Sequence, residues 1–158
     1  MSSSKSGIKR VKDALESKGY TNEIVKLPDS TRTAVEAAKA IDCEVAQIAK
    51  SLIFLCVNSD LPLLIIASGI NRVDEQKIAD HIQEPLGKAN ADFVREQTGF
   101  VIGGVPPLGH KHAIKTIIDE DLLQYDEIWA AAGHPKAVFR LTPEDLIRLT
   151  GGEVLSIQ

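Results

Sequence analysis

Residues 51–67 read SLIFLCVNSDLPLLIIA, two apolar runs separated by a short polar break. SLIFLCV (51–57) and PLLIIA (62–67) each have strand length, and Asn58, Ser59, Asp60 and Leu61 between them carry hairpin chemistry. The pair predicts the centre of a sheet. Upstream, Ile8, Val11, Ala14 and Leu15 recur at helical spacing until Gly19, which predicts a helix over 7–18 behind a flexible polar tail at 1–6. Residues 22–27 read as extended. Thr33 and Glu36 have capping-box form and open a helix through Ala37, Ala38, Ala40 and Ile41. A second helical stretch, 44–49, leads into Lys50. Downstream, helices are expected over 73–82 and 91–97, the latter stopped by Gly99, with a short strand at Phe100-Val101-Ile102. An extended segment at 114–118 is followed by a turn of acidic residues. Strands at 127–132 and 137–141 flank Gly133-His134-Pro135 as a second hairpin. Thr142 and Pro143 then cap a last helix, and 153–157 reads as a final strand.

Strands and helices in that order lack the regular alternation of a doubly wound fold. The expected class is a mixed α/β (α+β) domain: a curved, largely antiparallel mixed sheet with surrounding helices. With 158 residues, 44% of them hydrophobic, one globular domain over 1–158 is expected. A net charge of −4 argues against holding nucleic acid by bulk phosphate attraction, so any such partner must be gripped locally. Cys43 and Cys56 have no CxxC neighbour, and no apolar run is long enough to span a bilayer or form a secretory signal. A cytoplasmic protein is the expectation.

The stretch with the greatest chemical potential is GGVPPLG at 103–109, with three glycines and two prolines in seven positions. Glycine lets main-chain N–H groups approach a ligand closely, and proline stiffens the path, so this loop suits an oxyanion-type site. An ordinary glycine and proline turn between two strands is the plainer reading of the same composition. Lys50 stands where a helical segment meets a very hydrophobic strand, either as a helix-terminal dipole partner or as a grip for a phosphate or carbonyl. His134, at a predicted hairpin tip, is either a solvated turn residue or a ligand and proton handler. His110 and His112 lack a third ligand at metal spacing, and no cofactor or metal is expected. Asp119, Glu120 and Asp121 read as a helix N-terminus complementing its dipole. Without a GxxxxGK[ST] run or a Ser-His-Asp or Cys-His set, water is the expected nucleophile of any hydrolysis.

Taken together, TAVEAAKAI at 33–41, QIAKSLIFL at 47–55 and TGFVIGGVPPLGHKHAIKTIID at 98–119 resemble the YbaK family, the free-standing relatives of the editing domain inserted in bacterial prolyl-tRNA synthetase. The resemblance implies a sheet that partly closes, barrel-like, around its site. It also implies hydrolysis of the ester between a wrong amino acid, typically alanine or cysteine, and the 3′ end of proline tRNA. The partners implied are mischarged tRNA and prolyl-tRNA synthetase. The family lysine falls on Lys50, as substrate anchor. The GxxxP loop falls on Gly103, Gly104, Val105, Pro106 and Pro107, whose main chain orients the ester and its water. His134 with Pro135 is the counterpart of a pocket-shaping histidine, with Gly133 before it. Ser51 follows the lysine where the alanine-specific branch commonly has asparagine, so alanine and cysteine both stay open. A non-catalytic tRNA-end or synthetase-binding module and an esterase for another acyl nucleotide are the alternatives.

Overall fold

The computed structural model describes residues 3–28 and 33–158. Residues 1–2 of the expected tail lie outside that range, and Ser3 already begins the first helix. In chain order the elements are α1 (Ser3–Ser17), β1 (Ile24–Lys26), α2 (Ala34–Ile41), β2 (Ile48–Cys56), β3 (Leu61–Ser68), α3 (Glu75–Ile82), β4 (Leu86–Lys88) and α4 (Ala91–Thr98). They continue as β5 (Lys115–Asp119), β6 (Ile128–His134), β7 (Ala137–Leu141), α5 (Pro143–Thr150) and β8 (Glu153–Leu155).

The hairpin read from 51–67 is the centre of the sheet. β2 and β3 pair antiparallel from Ala49↔Ser68 to Cys56↔Leu61. Along β3, Leu64 and Ile66 enter one core layer and Leu63, Ile65 and Ala67 the other, and all five are fully buried. Burial on both faces is why this run shows no polar alternation. The sheet order is β1-β7-β6-β2-β3-β5-β8, with β4 beside β2. The β2–β6, β3–β5 and β5–β8 pairings are parallel and the remaining four antiparallel. The path is open, with β1 and β8 at its ends, so the barrel-like curvature expected from the resemblance does not become a closed barrel.

The caps fall where the sequence puts them. The Thr33 hydroxyl accepts from Glu36 N–H at 3.1 Å, and the Thr142 hydroxyl accepts from Asp145 N–H at 3.0 Å ahead of Pro143. Each satisfies a helix-end donor that would otherwise be unpaired. The second hairpin, β6–β7, also forms, but its turn is Pro135-Lys136: Gly133 and His134, read as the tip, belong to β6, which extends to pair His134 with Ala137.

Two further readings are corrected, and one strand had no reading. The stretch 44–49 is a single 3₁₀ turn, Val45–Gln47, and β2 begins at Ile48, so Lys50 lies inside a strand opposite Ala67 rather than at a helix end. The strand expected at Phe100-Val101-Ile102 does not form. Phe100 N–H is taken by the Thr98 hydroxyl at 3.0 Å, Val101 C=O accepts Gly104 N–H at 3.0 Å, and Val101 and Ile102 are exposed. The Phe100 donor and the Val101 acceptor are spent locally, which competes with a ladder here. Finally, β4 was not read at all, because three residues containing a glycine carry no periodic signal.

Candidate active site

β6 leaves β2 almost at once, and that departure makes the site. The two strands pair only at Ile48↔Trp129 and Ala49↔Ala130. Immediately beyond, the β6–β7 register shifts between Ala131 and His134, with Gly133 in the left-handed region at φ 89°. A bulge of this kind bends its strand away from its neighbours. Into the opening fits a cavity of about 550 Å³ lined by Lys50, Ser51, Gly103, Val105, Pro135 and Lys136, among others. It has Ile48, Trp129 and Val138 on its apolar side.

Three stretches singled out in the sequence therefore meet: the start of β2, the glycine and proline loop, and the tip of the second hairpin. The loop touches the hairpin through its main chain. A Cβ on Gly104 would stand 2.9 Å from His134 Cα and carbonyl carbon, so only glycine permits this approach. Gly103, at φ 88°, has room beside it, the nearest atom to a Cβ being Pro135 Cγ at 3.7 Å. Gly104, Pro107, Gly133 and His134 are not among the residues that line the cavity. His134 Nδ1 accepts from Lys136 N–H at 3.0 Å, which ties the imidazole to its own turn and leaves any neutral-state proton on Nε2.

The loop is held from beneath by α1. Arg10 lies over the Phe100 ring at 4.1 Å and donates to Gly99 C=O at 2.8 Å. His110 packs edge-on against the same ring and donates from Nε2 to Pro106 C=O at 2.6 Å, since a carbonyl can only accept. Burial pushes the His110 imidazole below its ordinary value of 6.5; the Pro106 bond opposes this and Arg10 adds to it. The folded state thus prefers neutral His110, so the unfolded chain binds more protons as pH falls below 6.5, and stability declines there. Urea unfolding at a series of pH values is expected to show that decline, and a His110→Gln variant to show a shallower one.

The Lys50 ammonium makes no hydrogen bond or ion pair among the described residues. Burial holds its ammonium below the usual 10.5, helped by the like charge of Arg72 and opposed by Asp119. Arg72 was missed in the sequence, where nothing distinguishes it from any surface arginine. Asp119 and Asn71 were missed as well. Asp119 is 1% exposed, and its Oδ2 accepts from Ser68 N–H at 2.9 Å and Asn71 Nδ2 at 2.8 Å. Its Oδ1 caps the following 3₁₀ turn by accepting from Asp121 N–H, so the dipole reading of that acidic cluster describes part of its role. The carboxylate fastens the end of β3 and the Asn71 turn to β5, which sets where Lys50 and Arg72 stand. Asp119→Ala is expected to lower unfolding free energy by about 3 kcal/mol, because three donors lose a charged acceptor in a buried place. Denaturant titration reads this directly.

No group of three or more His, Cys, Asp or Glu placed to hold a metal ion occurs among the described residues. No helix among them is long and apolar enough to cross a membrane.

A mixed open sheet that parts to expose a lysine, opposite a glycine and proline loop, defines a small-ligand pocket built partly from main chain. The chain belongs to the aminoacyl-tRNA editing domain family, whose sequence model matches residues 28–149. A solved structure described as a candidate trans-editing enzyme for prolyl tRNA synthetase superposes with a TM-score of 0.92 at 47% identity, covering 96% of both chains. Protein YwhH of Bacillus subtilis (strain 168), which is uncharacterized, is 30% identical over 84% of both sequences. EbsC of Enterococcus faecalis (strain ATCC 700802 / V583), described as a candidate Cys-tRNA(Pro)/Cys-tRNA(Cys) deacylase, is 26% identical over 79% of this chain and 76% of its own.

Proposed function

We propose that this protein is a cytoplasmic aminoacyl-tRNA deacylase that acts in trans, hydrolysing the ester of proline tRNA charged with a small wrong amino acid, alanine or cysteine. The observation that carries the reading is that Lys50, without an ionic partner of its own, opens on the same cavity as the main chain of Gly103. The relatives' descriptions as a prolyl tRNA synthetase trans-editing candidate and a cysteinyl-tRNA deacylase candidate support it.

In this reading water attacks the ester carbonyl carbon, the bond from that carbon to the ribose oxygen breaks, and the ribose oxygen leaves with a proton. The products are free amino acid and uncharged tRNA. An aminoacyl ester is already activated, so a fixed water and fixed donors at the developing oxyanion suffice. Lys50 anchors the RNA end by its charge. Although the chain is acidic overall, Lys50, Arg72 and Lys136 stand at or beside the cavity without ion-pair partners among the described residues, which is the local grip that a nucleic acid requires. A second sieve also has a use: a synthetase site cannot reject a smaller amino acid by more than about 1–3 kcal/mol per methylene.

The deciding experiment incubates the protein with a panel of tRNAs mischarged with alanine, cysteine or proline. Release of alanine or cysteine from proline tRNA, with proline spared, is expected. Binding of the mischarged tRNA without release of any amino acid would instead make the chain a non-catalytic module.

A further inference from the structure

The cavity holds an unpaired strand edge. β2 is bonded to β3 throughout, but its other edge is shared by β6 at Ile48 and Ala49 and by β4 at Phe54, Leu55 and Cys56. Residues 50–53 between them have no strand beside them. Successive residues of a strand aim their main-chain N–H and C=O at opposite edges. Val57 N–H bonds Pro85 C=O at 3.0 Å on the β4 side, whereas Cys56 C=O accepts Asp60 N–H at 2.8 Å on the β3 side. Counting back in twos through a register without bulges, Ile53 and Ser51 aim their main-chain groups at that edge, and Lys50 and Leu52 aim theirs at β3; of the two, Ser51 lines the cavity. No turn, loop or side chain among the described residues bonds either group of Ser51. The Ser51 hydroxyl oxygen is buried and has no partner. One residue lining the cavity thus presents a main-chain donor and acceptor that no described group of the protein satisfies, which is the condition for an extended ligand to add to a strand edge.

A ligand that satisfies an extended residue's N–H and C=O together must carry an acceptor and a donor across one tetrahedral carbon, as a residue of a neighbouring strand does. An aminoacyl group has that pattern, with its carbonyl oxygen and its α-ammonium on either side of Cα. We propose that the aminoacyl moiety docks on Ser51 as a one-residue antiparallel strand, its α-ammonium donating to Ser51 C=O and its ester carbonyl accepting from Ser51 N–H. This rests on the deacylase reading and adds what that reading lacks, a recognition element for the α-amino group that is indifferent to the side chain. It also polarises the ester carbonyl that water attacks.

The test uses ¹⁵N-labelled protein and 3′-deoxy-3′-(alanylamino)adenosine, in which an amide replaces the ester and hydrolysis is blocked. Solvent exchange of the Ser51 amide is expected to slow by about tenfold or more on binding, while Leu52, already bonded to β3, does not change. Ser51→Ala, which keeps the main chain, is expected to retain that protection. The propionylamino analogue, which lacks the α-amino group, is expected to bind about tenfold more weakly. If Lys50 and Gly103 signals shift while the Ser51 amide exchanges as before, the strand-edge proposal is overturned and the deacylase reading stands. If no signal from a cavity residue shifts, both fall.

Discussion

Lys50→Ala is expected to reduce deacylation of mischarged proline tRNA by about a hundredfold while leaving the fold intact. The ammonium has no bond in the protein to lose, and the folded environment disfavours its charge, since burial and Arg72 both lower its proton affinity. The sign of the stability effect follows. A lysine whose affinity for protons is lowered on folding costs stability while it is charged, and that cost fades as pH rises toward 10.5, where the unfolded chain also loses the proton. Replacement by Ala or Met should therefore leave unfolding free energy unchanged or raised near pH 7, with the gain over the parent disappearing at high pH. Activity and stability move independently, which a merely structural lysine would not allow. Single-turnover deacylation beside urea titrations gives both quantities. A Lys50→Ala protein that retains full activity would remove this lysine from the site.

The central hairpin was legible because two adjacent fully apolar runs with polar residues between them have few other ways to be buried. The caps at Thr33 and Thr142 were legible because their signals lie within four residues. What the sequence concealed was spent at longer range. Phe100-Val101-Ile102 has strand composition, yet it is held as a turn by Thr98, Gly104 and Arg10, the last from the far end of the chain. The 3₁₀ turn before β2 moved Lys50 from a helix terminus into a strand, and that change of place removes the dipole explanation for it.

The same distinction applies to the site. Lys50, Ser51, Gly103 and Val105 were named from motifs, and they do line one cavity. Pro135 and Lys136, rather than His134, form the hairpin's contribution to the lining, because the register shift in β6 turns the tip and the imidazole bonds back to Lys136 N–H. No local pattern reveals a bulge that lies against a helix starting more than a hundred residues earlier. Asp119 and Arg72 were hidden for a related reason: their roles depend on which strands are neighbours.

That contact gives the second large effect. Gly7 of α1 lies against Gly133 in the bulge, and a Cβ on either would run into the main-chain oxygen of the other. Gly133 also sits at φ 89°, where an L-residue is strained. Gly133→Ala therefore carries two penalties, about 1–2 kcal/mol for the left-handed conformation and about 1–3 kcal/mol for overpacking a contact between two backbones. A loss of about 4 kcal/mol in unfolding free energy is expected. Gly19→Ala separates the two, because Gly19 has the same kind of backbone, φ 85°, with nothing near its Cβ position, and should show the conformational penalty alone. Gly103→Ala, at φ 88° with no more than an ordinary contact to Pro135 beside it, should match Gly19→Ala in stability yet lose deacylation, since Gly103 lines the cavity. Relief of the Gly133 contact requires α1 to withdraw, and α1 carries Arg10, which holds Phe100 and the start of the loop. Gly133→Ala should accordingly lower activity beyond what its unfolded fraction accounts for. Denaturant curves for the three variants, with deacylation rates taken where each is folded, check this ranking. Equal losses of stability in Gly133→Ala and Gly19→Ala would show that α1 does not press on the bulge.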